Sequence, residues 1–429
     1  MEHVDAPRLR RALVATLWIT VAVPAPGFGQ ASLDPSAVTL ERAVEEALVR
    51  NPGLRAAGLA IDVARARGDL AALPVPMSVQ AEIENFLGSG EVNGFDAAET
   101  TLQLSKVLEL GGKRELRAGL GSARVTQAET DRSLARLDLA AEVARRFIRL
   151  VTLQEEVSIA ELAVELAEST LAVVRQGVEV GGRSEAELAT AGIALAEAQL
   201  AREAIEARLE AARLGLGTLW GAEGAANLQG EARLYELPDI QSLETLRSRV
   251  PDSPELLRAV DQQRLLQAER RLAEARRRSD LELGFGVRHL GAIDDGALVF
   301  GASFPLGGRD RSSADAAAFS ASLEELDAQT EQRRLDVIAA LSGLYAEMSN
   351  AHERYTRLRD SLLPQSEDAA ALYREGFELG SFSLLEFSQA QQGLLELRRD
   401  ALGAAALYHT TLVDIEQLLG GTYVSGVSQ

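Results

Sequence analysis

Residues capable of chemistry are few in this chain and poorly spaced for it. Past the N-terminal segment three histidines remain, His289, His352 and His409, far apart in sequence. None pairs with another at the i, i+4 spacing that sets two imidazoles on one helix face for a metal ion. Each reads as an ordinary surface or interface residue. Cysteine is absent, which excludes disulfides, thiolate metal sites and a lipid-modified N-terminal cysteine. Met77 and Met348 lie on apolar stripes and read as packing residues. Two glycine pairs followed by a basic residue, Gly111-Gly112-Lys113 and Gly307-Gly308-Arg309, invite a phosphate-loop reading. They lack its spacing and its Lys-Ser/Thr ending, so a strand-to-helix turn explains them better. No catalytic constellation, cofactor or resident metal site is expected. What remains is acidity: 64 Asp and Glu against 44 Lys and Arg give a formal charge of -20. That balance argues against nucleic acid, whose phosphates attract basic patches. In a narrow aqueous passage the same carboxylates would concentrate cations and repel anions.

The elements that must position those acids occur twice, at an offset of roughly 196–202 residues. Asn51-Pro52 answers to Ser253-Pro254, and Leu110-Gly111-Gly112-Lys113 to Leu306-Gly307-Gly308-Arg309. Arg136-Leu137-Asp138-Leu139 is matched by Arg334-Leu335-Asp336-Val337, and Arg175-Gln176-Gly177 by Arg374-Glu375-Gly376. The period is far too long for a solenoid repeat. It marks a duplicated, domain-sized unit, with repeats expected over 32–236 and 237–429. At 46% hydrophobic residues the chain is ordinary for a folded protein, and disorder through low hydrophobicity is not expected.

Within each repeat the hydrophobic period changes. Met77, Val79, Ala81 and Ile83 alternate with Ser78, Gln80, Glu82 and Glu84, and Thr100, Leu102 and Leu104 with Glu99, Thr101, Gln103 and Ser105. In the second copy Leu283, Phe285 and Val287 alternate with Glu282, Gly284, Gly286 and Arg288, while Leu298, Phe300 and Ala302 oppose Val299, Gly301 and Ser303. Strands are expected at 77–85, 97–106, 281–289 and 297–305, with Asp294-Asp295-Gly296 in the second turn. Each is about ten residues long with one apolar and one polar face, the pattern of a strand in an outer-membrane barrel. A pair of half-buried hairpins in a soluble sheet would show the same alternation. Two hairpins cannot close a barrel, and an open edge cannot lie in lipid, so the membrane reading obliges the chain to oligomerise. Three chains would supply twelve strands. Glu82, Glu84, Glu99 and Glu282 would then line a wet lumen.

The remaining pattern is helical. Leu139, Val143, Phe147 and Leu150 recur at three- and four-residue spacing, and Val337, Leu341, Tyr345 and Met348 repeat the stripe. Long helices are expected at 113–180, 184–217, 309–379 and 383–419. A helix of ~65 residues is ~100 Å long, which ordinary globular domains rarely hold, so a coiled coil or long bundle is implied. Pro364 is expected to kink or interrupt the third. Gly181 and Gly380 followed by Ser184 and Ser383 mark helical-hairpin turns. Glu187 and Glu386, three residues past each serine, complete capping boxes, and capping alone would account for them. Residues 1–31 have the form of a secretory signal: Arg8, Arg10 and Arg11, an apolar run from Ala12 to Val23, then Gly29-Gln30-Ala31. The run is shorter than the ~20 residues a spanning helix needs.

Signal, helix, β-hairpin and long helical hairpin, all given twice, resemble the TolC-like outer-membrane efflux family over nearly the whole mature chain. Glu82-Ile83-Glu84-Asn85-Phe86, and Glu99-Thr100-Thr101-Leu102-Gln103-Leu104-Ser105 running on through Leu110-Gly111-Gly112-Lys113-Arg114, look like the outer-membrane subunits of cobalt–zinc–cadmium and related heavy-metal efflux systems. The resemblance implies a mainly α fold with a small β part. It implies a homotrimer, with four strands per chain in one outer-membrane barrel and the helices forming a periplasmic tunnel. The implied partners are a periplasmic adaptor and an inner-membrane pump of the resistance–nodulation–division type, which couples export to the proton gradient while the channel does no chemistry. The adaptor contact would fall at the hairpin tips: Arg175, Gly177, Gly181 and Ser184 with Arg374, Gly376, Gly380 and Ser383. Acids past the second tip constrict the tunnel in relatives. Glu386 matches such a position, whereas Gln389, one turn on, is neutral. The same duct could serve drugs or a secreted polypeptide, and a soluble periplasmic helical scaffold is the alternative from another class.

Overall fold

The computed structural model describes residues 38–421, apart from 93 and 223–226. The expected signal over 1–31 lies outside the described residues.

The chain is mainly helical with one small sheet. In chain order it forms α1 (Leu40–Arg50), α2 (Pro52–Ala72), β1 (Ser78–Glu84), β2 (Glu99–Leu108), α3 (Lys113–Glu179), α4 (Glu185–Gly217) and α5 (Leu243–Ser248), then α6 (Pro254–Ala275), β3 (Leu281–Leu290), β4 (Asp295–Ser303), α7 (Gly308–Arg357), α8 (Leu363–Glu378) and α9 (Leu384–Leu418). The two Xaa-Pro steps start α2 and α6, with Asn51 and Ser253 as N-caps and the prolines in the first turn. Proline is favoured there because its missing N–H would have no partner anyway.

All four strands join one antiparallel sheet in the order β1-β2-β3-β4. The two repeats meet at β2–β3, paired from Glu99↔Leu290 to Leu108↔Leu281, so β1 and β4 are left as open edges. Pairing runs tight to the second turn. Leu290 faces Asp295, and Asp294 makes the corner with φ 50. Hence β4 begins two residues before the expected 297, and Asp295 belongs to the strand rather than to the turn.

α3, at 67 residues, is the spine of the molecule. At 1.5 Å per residue it is about 100 Å long. Its sheet-proximal half packs on α2 and α6, and its distal half on α4 and α9. Where α2 crosses α3, Gly68 and Gly121 touch, and a Cβ on Gly121 would lie 2.7 Å from the Gly68 Cα. Only glycine allows that approach.

The helix expected over 309–379 is not continuous. α7 ends at Arg357, a π turn spans Leu358–Leu362, and α8 begins at Leu363. Pro364 has no N–H to return to the residue four before it, and its ring crowds that carbonyl. The chain widens by one residue just before the proline, and Pro364 is left in the first turn of α8, where it is tolerated. α3 carries no proline and runs unbroken.

The main core lies at mid-length, where Phe147, Leu150, Val151, Leu402 and Ala405 pack with α1 and with Leu216 and Trp220. The segment from 228 to 240 straps across it. The Tyr355 hydroxyl donates to the Tyr235 carbonyl (2.9 Å), the Tyr408 hydroxyl donates to the Pro238 carbonyl, and His409 Nε2 lies 2.9 Å from the Leu234 carbonyl. Burial pushes the Tyr408 phenol up to about 12 and the His409 imidazole below its usual value. His409 is therefore an interior residue, not a surface one.

Candidate functional site: the sheet faces and the hairpin tips

Cross-strand partners share a face, so the registers sort the sheet into two chemistries. One face carries the rows Glu84–Glu99–Leu290–Asp295, Glu82–Thr101–Arg288–Ala297, Gln80–Gln103–Gly286–Val299 and Ser78–Ser105–Gly284–Gly301. The other carries Ile83–Thr100–His289–Gly296, Ala81–Leu102–Val287–Leu298 and Val79–Leu104–Phe285–Phe300. The apolar face is the uncovered one: Phe285 is 65% exposed and Leu298 83%. Among the described residues no helix of the chain packs against it. The rows continue through Lys106–Leu283–Ala302 to Leu108–Leu281. Five rows at about 6.7 Å spacing make about 27 Å along the strands, or about 20 Å of height once strands tilt by 35–45°. That is close to the apolar band of a membrane barrel, about 25 Å tall.

The sequence-derived acids divide into two groups on the polar face. Glu82, Glu84 and Glu99 gather near the loop end, around Arg288. Its guanidinium donates to Glu99 Oε2 (3.0 Å) and to Thr101 Oγ1 (2.9 Å), and lies 3.3 Å from Glu84 Oε2. Asn85 Nδ2 donates to the other Glu99 oxygen at 3.0 Å. Glu282 stands apart, in a row with Val107 and Ser303 eight residues along β3, about 27 Å away. One arginine thus offsets part of the acidity at one end, and among the described residues Glu82 makes no ion pair there.

At the opposite end of the molecule the two hairpin turns pack side by side. Each closes in the same way. Gly181 (φ 73) and Gly380 (φ 74) take the left-handed conformation that a tight helix C-terminus requires. The Gly182 and Ser381 N–H groups donate back to the Gly177 and Gly376 carbonyls, at 2.8 and 2.7 Å. Arg183 and Phe382, at equivalent positions, fold back over Gly177 and Gly376. A Cβ on Gly177 would lie 2.7 Å from Arg183 Cδ, and one on Gly376 would press still closer on Phe382 Cδ2. Ser184 and Ser383 form the expected capping boxes with Glu187 and Glu386. The serine N–H bonds hold both carboxyls below the usual carboxylate range. Glu386 is therefore engaged as a cap through one oxygen, and Gln389 is exposed one turn on.

The two tips are tied together. Arg183 Nη2 donates to the Phe377 carbonyl (2.7 Å), and its guanidinium lies 3.7 Å above the Phe377 ring. Phe377 stacks on Phe387 at 4.8 Å in a small core with Val174, Ala191 and Leu384. Outside this core Arg175 and Arg374 are exposed, beside Val180 (79% exposed) and Leu379 (75%).

The sequence profile described as outer membrane efflux protein matches residues 43–222 and 252–421, most of the chain. The chain belongs to that family. The cobalt-zinc-cadmium resistance protein CzcC of Cupriavidus metallidurans is 26% identical over 96% of this chain and 100% of its own length. The nickel-cobalt-cadmium resistance protein NccC of Alcaligenes xylosoxydans is 26% identical over 74% of this chain and 71% of its own. The pyoverdine export outer membrane protein OpmQ of Pseudomonas putida is 24% identical over 83% and 80%. Among solved structures, CusC superposes with a TM-score of 0.72 at 18% identity, covering 89% of this chain and 92% of CusC. At that identity the likeness establishes the fold, which is TolC-like.

For a member of this family, sequence reasoning missed three residues. Arg288 was legible as the lone cation on the polar side of its strand, but the register was needed to set it against Glu84 and Glu99. Arg183 and Phe377 gave no signal beyond the mismatch between Gly181-Gly182-Arg183 and Gly380-Ser381-Phe382, because their contact joins residues 194 apart.

Proposed function

We propose that three copies of this chain close a twelve-stranded barrel in the outer membrane of a Gram-negative cell, continued by a periplasmic tunnel of helices. The observation that carries this reading is the sheet: one bare apolar face, one polar face, and two unpaired edges. Lipid satisfies the bare face, and only edge-to-edge closure satisfies the backbone groups of β1 and β4 in hydrocarbon. A soluble scaffold would leave the apolar face in water with nothing to cover it.

The duct is passive, moving cargo delivered by an inner-membrane pump and a periplasmic adaptor that docks at the tips around Gly177, Gly181, Gly376 and Gly380. Heavy-metal cations are the favoured cargo, supported by the CzcC and NccC likeness. The acids Glu82, Glu84, Glu99 and Glu282 on the polar face suit cations, with no dedicated metal site needed. A siderophore or drug cargo is the second reading, favoured by the OpmQ likeness. Two measurements separate them. Planar-bilayer currents through the purified protein should be cation-selective, with selectivity falling in Glu82→Gln. Cells lacking the chain should become sensitive to zinc, cobalt or cadmium salts and not to organic toxicants. Anion-selective currents, or sensitivity to organic toxicants alone, would overturn the metal assignment. Gly380→Ala and Ser383→Ala should weaken adaptor capture with trimers intact; unchanged capture would remove the tips from the docking site.

A further inference from the structure

The passage between sheet and helices is the basic part of an acidic protein. Both lysines of the chain, Lys106 and Lys113, fall there. So does the run Arg276-Arg277-Arg278 between α6 and β3, and Arg309 and Arg311 at the start of α7. These segments form one layer. Ser279 Oγ donates to the Pro305 carbonyl (2.8 Å), Ser312 Oγ to the Ala273 carbonyl (2.5 Å), and Lys113 and the Leu110 N–H both reach Asp280 Oδ1 (2.7 and 3.0 Å).

The charges in this layer are unevenly satisfied. Lys113 is buried on Asp280, and Arg117 is held by Glu109. Earlier on α6, Arg258, Arg264 and Arg270 each have an acidic partner within one turn. Arg276, Arg277, Arg278, Arg309 and Arg311 are all exposed, and among the described residues none of them makes an ion pair or side-chain hydrogen bond. A helix C-terminus favours cations, which accounts for the first three in part. It cannot account for Arg309 and Arg311, which stand in the first turn of α7, where the helix dipole opposes positive charge. Lys113 and Arg114 stand against the dipole of α3 in the same way.

The layer borders the bare apolar face directly. Leu108, Leu110, Phe304 and Leu306, all exposed, form its rim. Lys106 lies among the apolar residues, in a row with Leu283 and Ala302, and its stem is long enough to carry the ammonium to the layer. Exposed cations abutting a hydrocarbon-facing band, with Asp310 the one carboxylate beside Arg309 and Arg311 in the first turn of α7, are complementary to the phosphates of that leaflet.

We propose that this collar binds the headgroup phosphates of anionic phospholipids in the leaflet on the helical side of the membrane, setting the depth of the barrel. The proposal rests on the sheet lying in lipid, and its test separates the two. The full chain carrying Leu306→Trp is reconstituted in phosphatidylcholine vesicles containing either brominated phosphatidylcholine or brominated phosphatidylglycerol. Quenching of the added tryptophan reports which lipid lies beside the collar. A preference for phosphatidylglycerol of about fivefold or more is expected, since each basic residue near a charged surface contributes about that factor. High salt should abolish the preference. The combined variant R276Q/R277Q/R278Q/R309Q/R311Q should lose it while both lipids still quench. Equal quenching by the two lipids, or a preference indifferent to salt, overturns the collar and leaves the membrane reading standing. No quenching by either lipid overturns both.

Discussion

Ala81 and Glu82 are neighbours on β1 and lie on opposite faces of the sheet, so one substitution made at each asks what each face touches. Ala81 stands in the second of the five apolar rows, next to the middle one, with Leu102, Val287 and Leu298. If that row meets hydrocarbon, Ala81→Arg places a guanidinium about 5 Å from the middle of the apolar band, at a cost toward the lower end of the about 2–4 kcal/mol per chain that a midplane arginine carries. Glu82→Arg places the same side chain on the polar face, where both residues are exposed to water. The only nearby cation in its row is Arg288, two strands away. Screened repulsion at that distance costs at most about 1 kcal/mol. A difference of about 2 kcal/mol is roughly a 30-fold change in the folded-to-unfolded ratio, and a closed trimer would feel it in each copy. Among the described residues β1 packs chiefly on β2 and on no helix to a comparable extent, so helical content should be unchanged in both variants. The assay is denaturant titration of protein folded into vesicles, read by the mobility of unheated samples on gels. Ala81→Arg should lower the midpoint strongly and Glu82→Arg barely. Equal small shifts at both positions would mean that the apolar face is not in lipid, and the barrel reading would fall.

Arg183→Ala should loosen the tips. It leaves the Phe377 carbonyl without its donor and removes the cation from the ring, together about 2–4 kcal/mol of local stability. Amide exchange over 174–190 and 373–391 should quicken accordingly, with Arg183→Lys restoring only part; unchanged exchange would mean that the tips are independent. The caps should respond to acid. The folded pKa values of Glu187 and Glu386 lie below their unfolded ones, so the unfolded ends take up protons first as pH falls. Their contribution is present above the ordinary carboxylate value of about 4.3 and is lost as pH falls through the lower folded values. Tip exchange, corrected for intrinsic rate, should rise over that window and be flat in Glu187→Gln with Glu386→Gln; a flat wild-type profile would refute the assignment. Burial lowers the pKa of His409, so the mid-length strap should weaken as pH falls below about 6.5. His409→Gln should remove that dependence in thermal melts, and an unaltered pH slope would count against it.

The fold was legible where a period was clean. The four strands show because alternation puts Ile83, Leu102 and Val287 on one face and Glu82, Thr101 and Arg288 on the other, in register after register. The tips show because Gly181 and Gly380 must be glycine for conformational reasons, and because a capping box is a local signal. Break points depend on less local forces. Pro364 announced an interruption, but not that it would take the form of a π turn over Leu358–Leu362. Least legible were contacts joining the repeats, Arg183 on Phe377 and Arg288 on Glu84 and Glu99. Their partners lie about two hundred residues apart, and nothing in either local sequence specifies the other. His409 illustrates the converse: its interior place follows from the 228–240 strap, an irregular segment without a period to read.

Closure of the barrel by neighbouring copies is the point on which everything else depends, and the absence of cysteine makes it directly measurable. Gln80→Cys on β1 can be combined in turn with a cysteine at each position from Ala297 to Ser303 on β4. Within one chain these edges are three strand spacings apart, about 14 Å, beyond the roughly 7 Å Cα separation a disulfide can bridge. Oxidation in membranes should therefore yield covalent dimers and a limiting covalent trimer at one or two registers, with either single cysteine giving none. Monomers at every register, or covalent ladders that pass three chains without limit, would contradict a barrel built from three copies of this sheet.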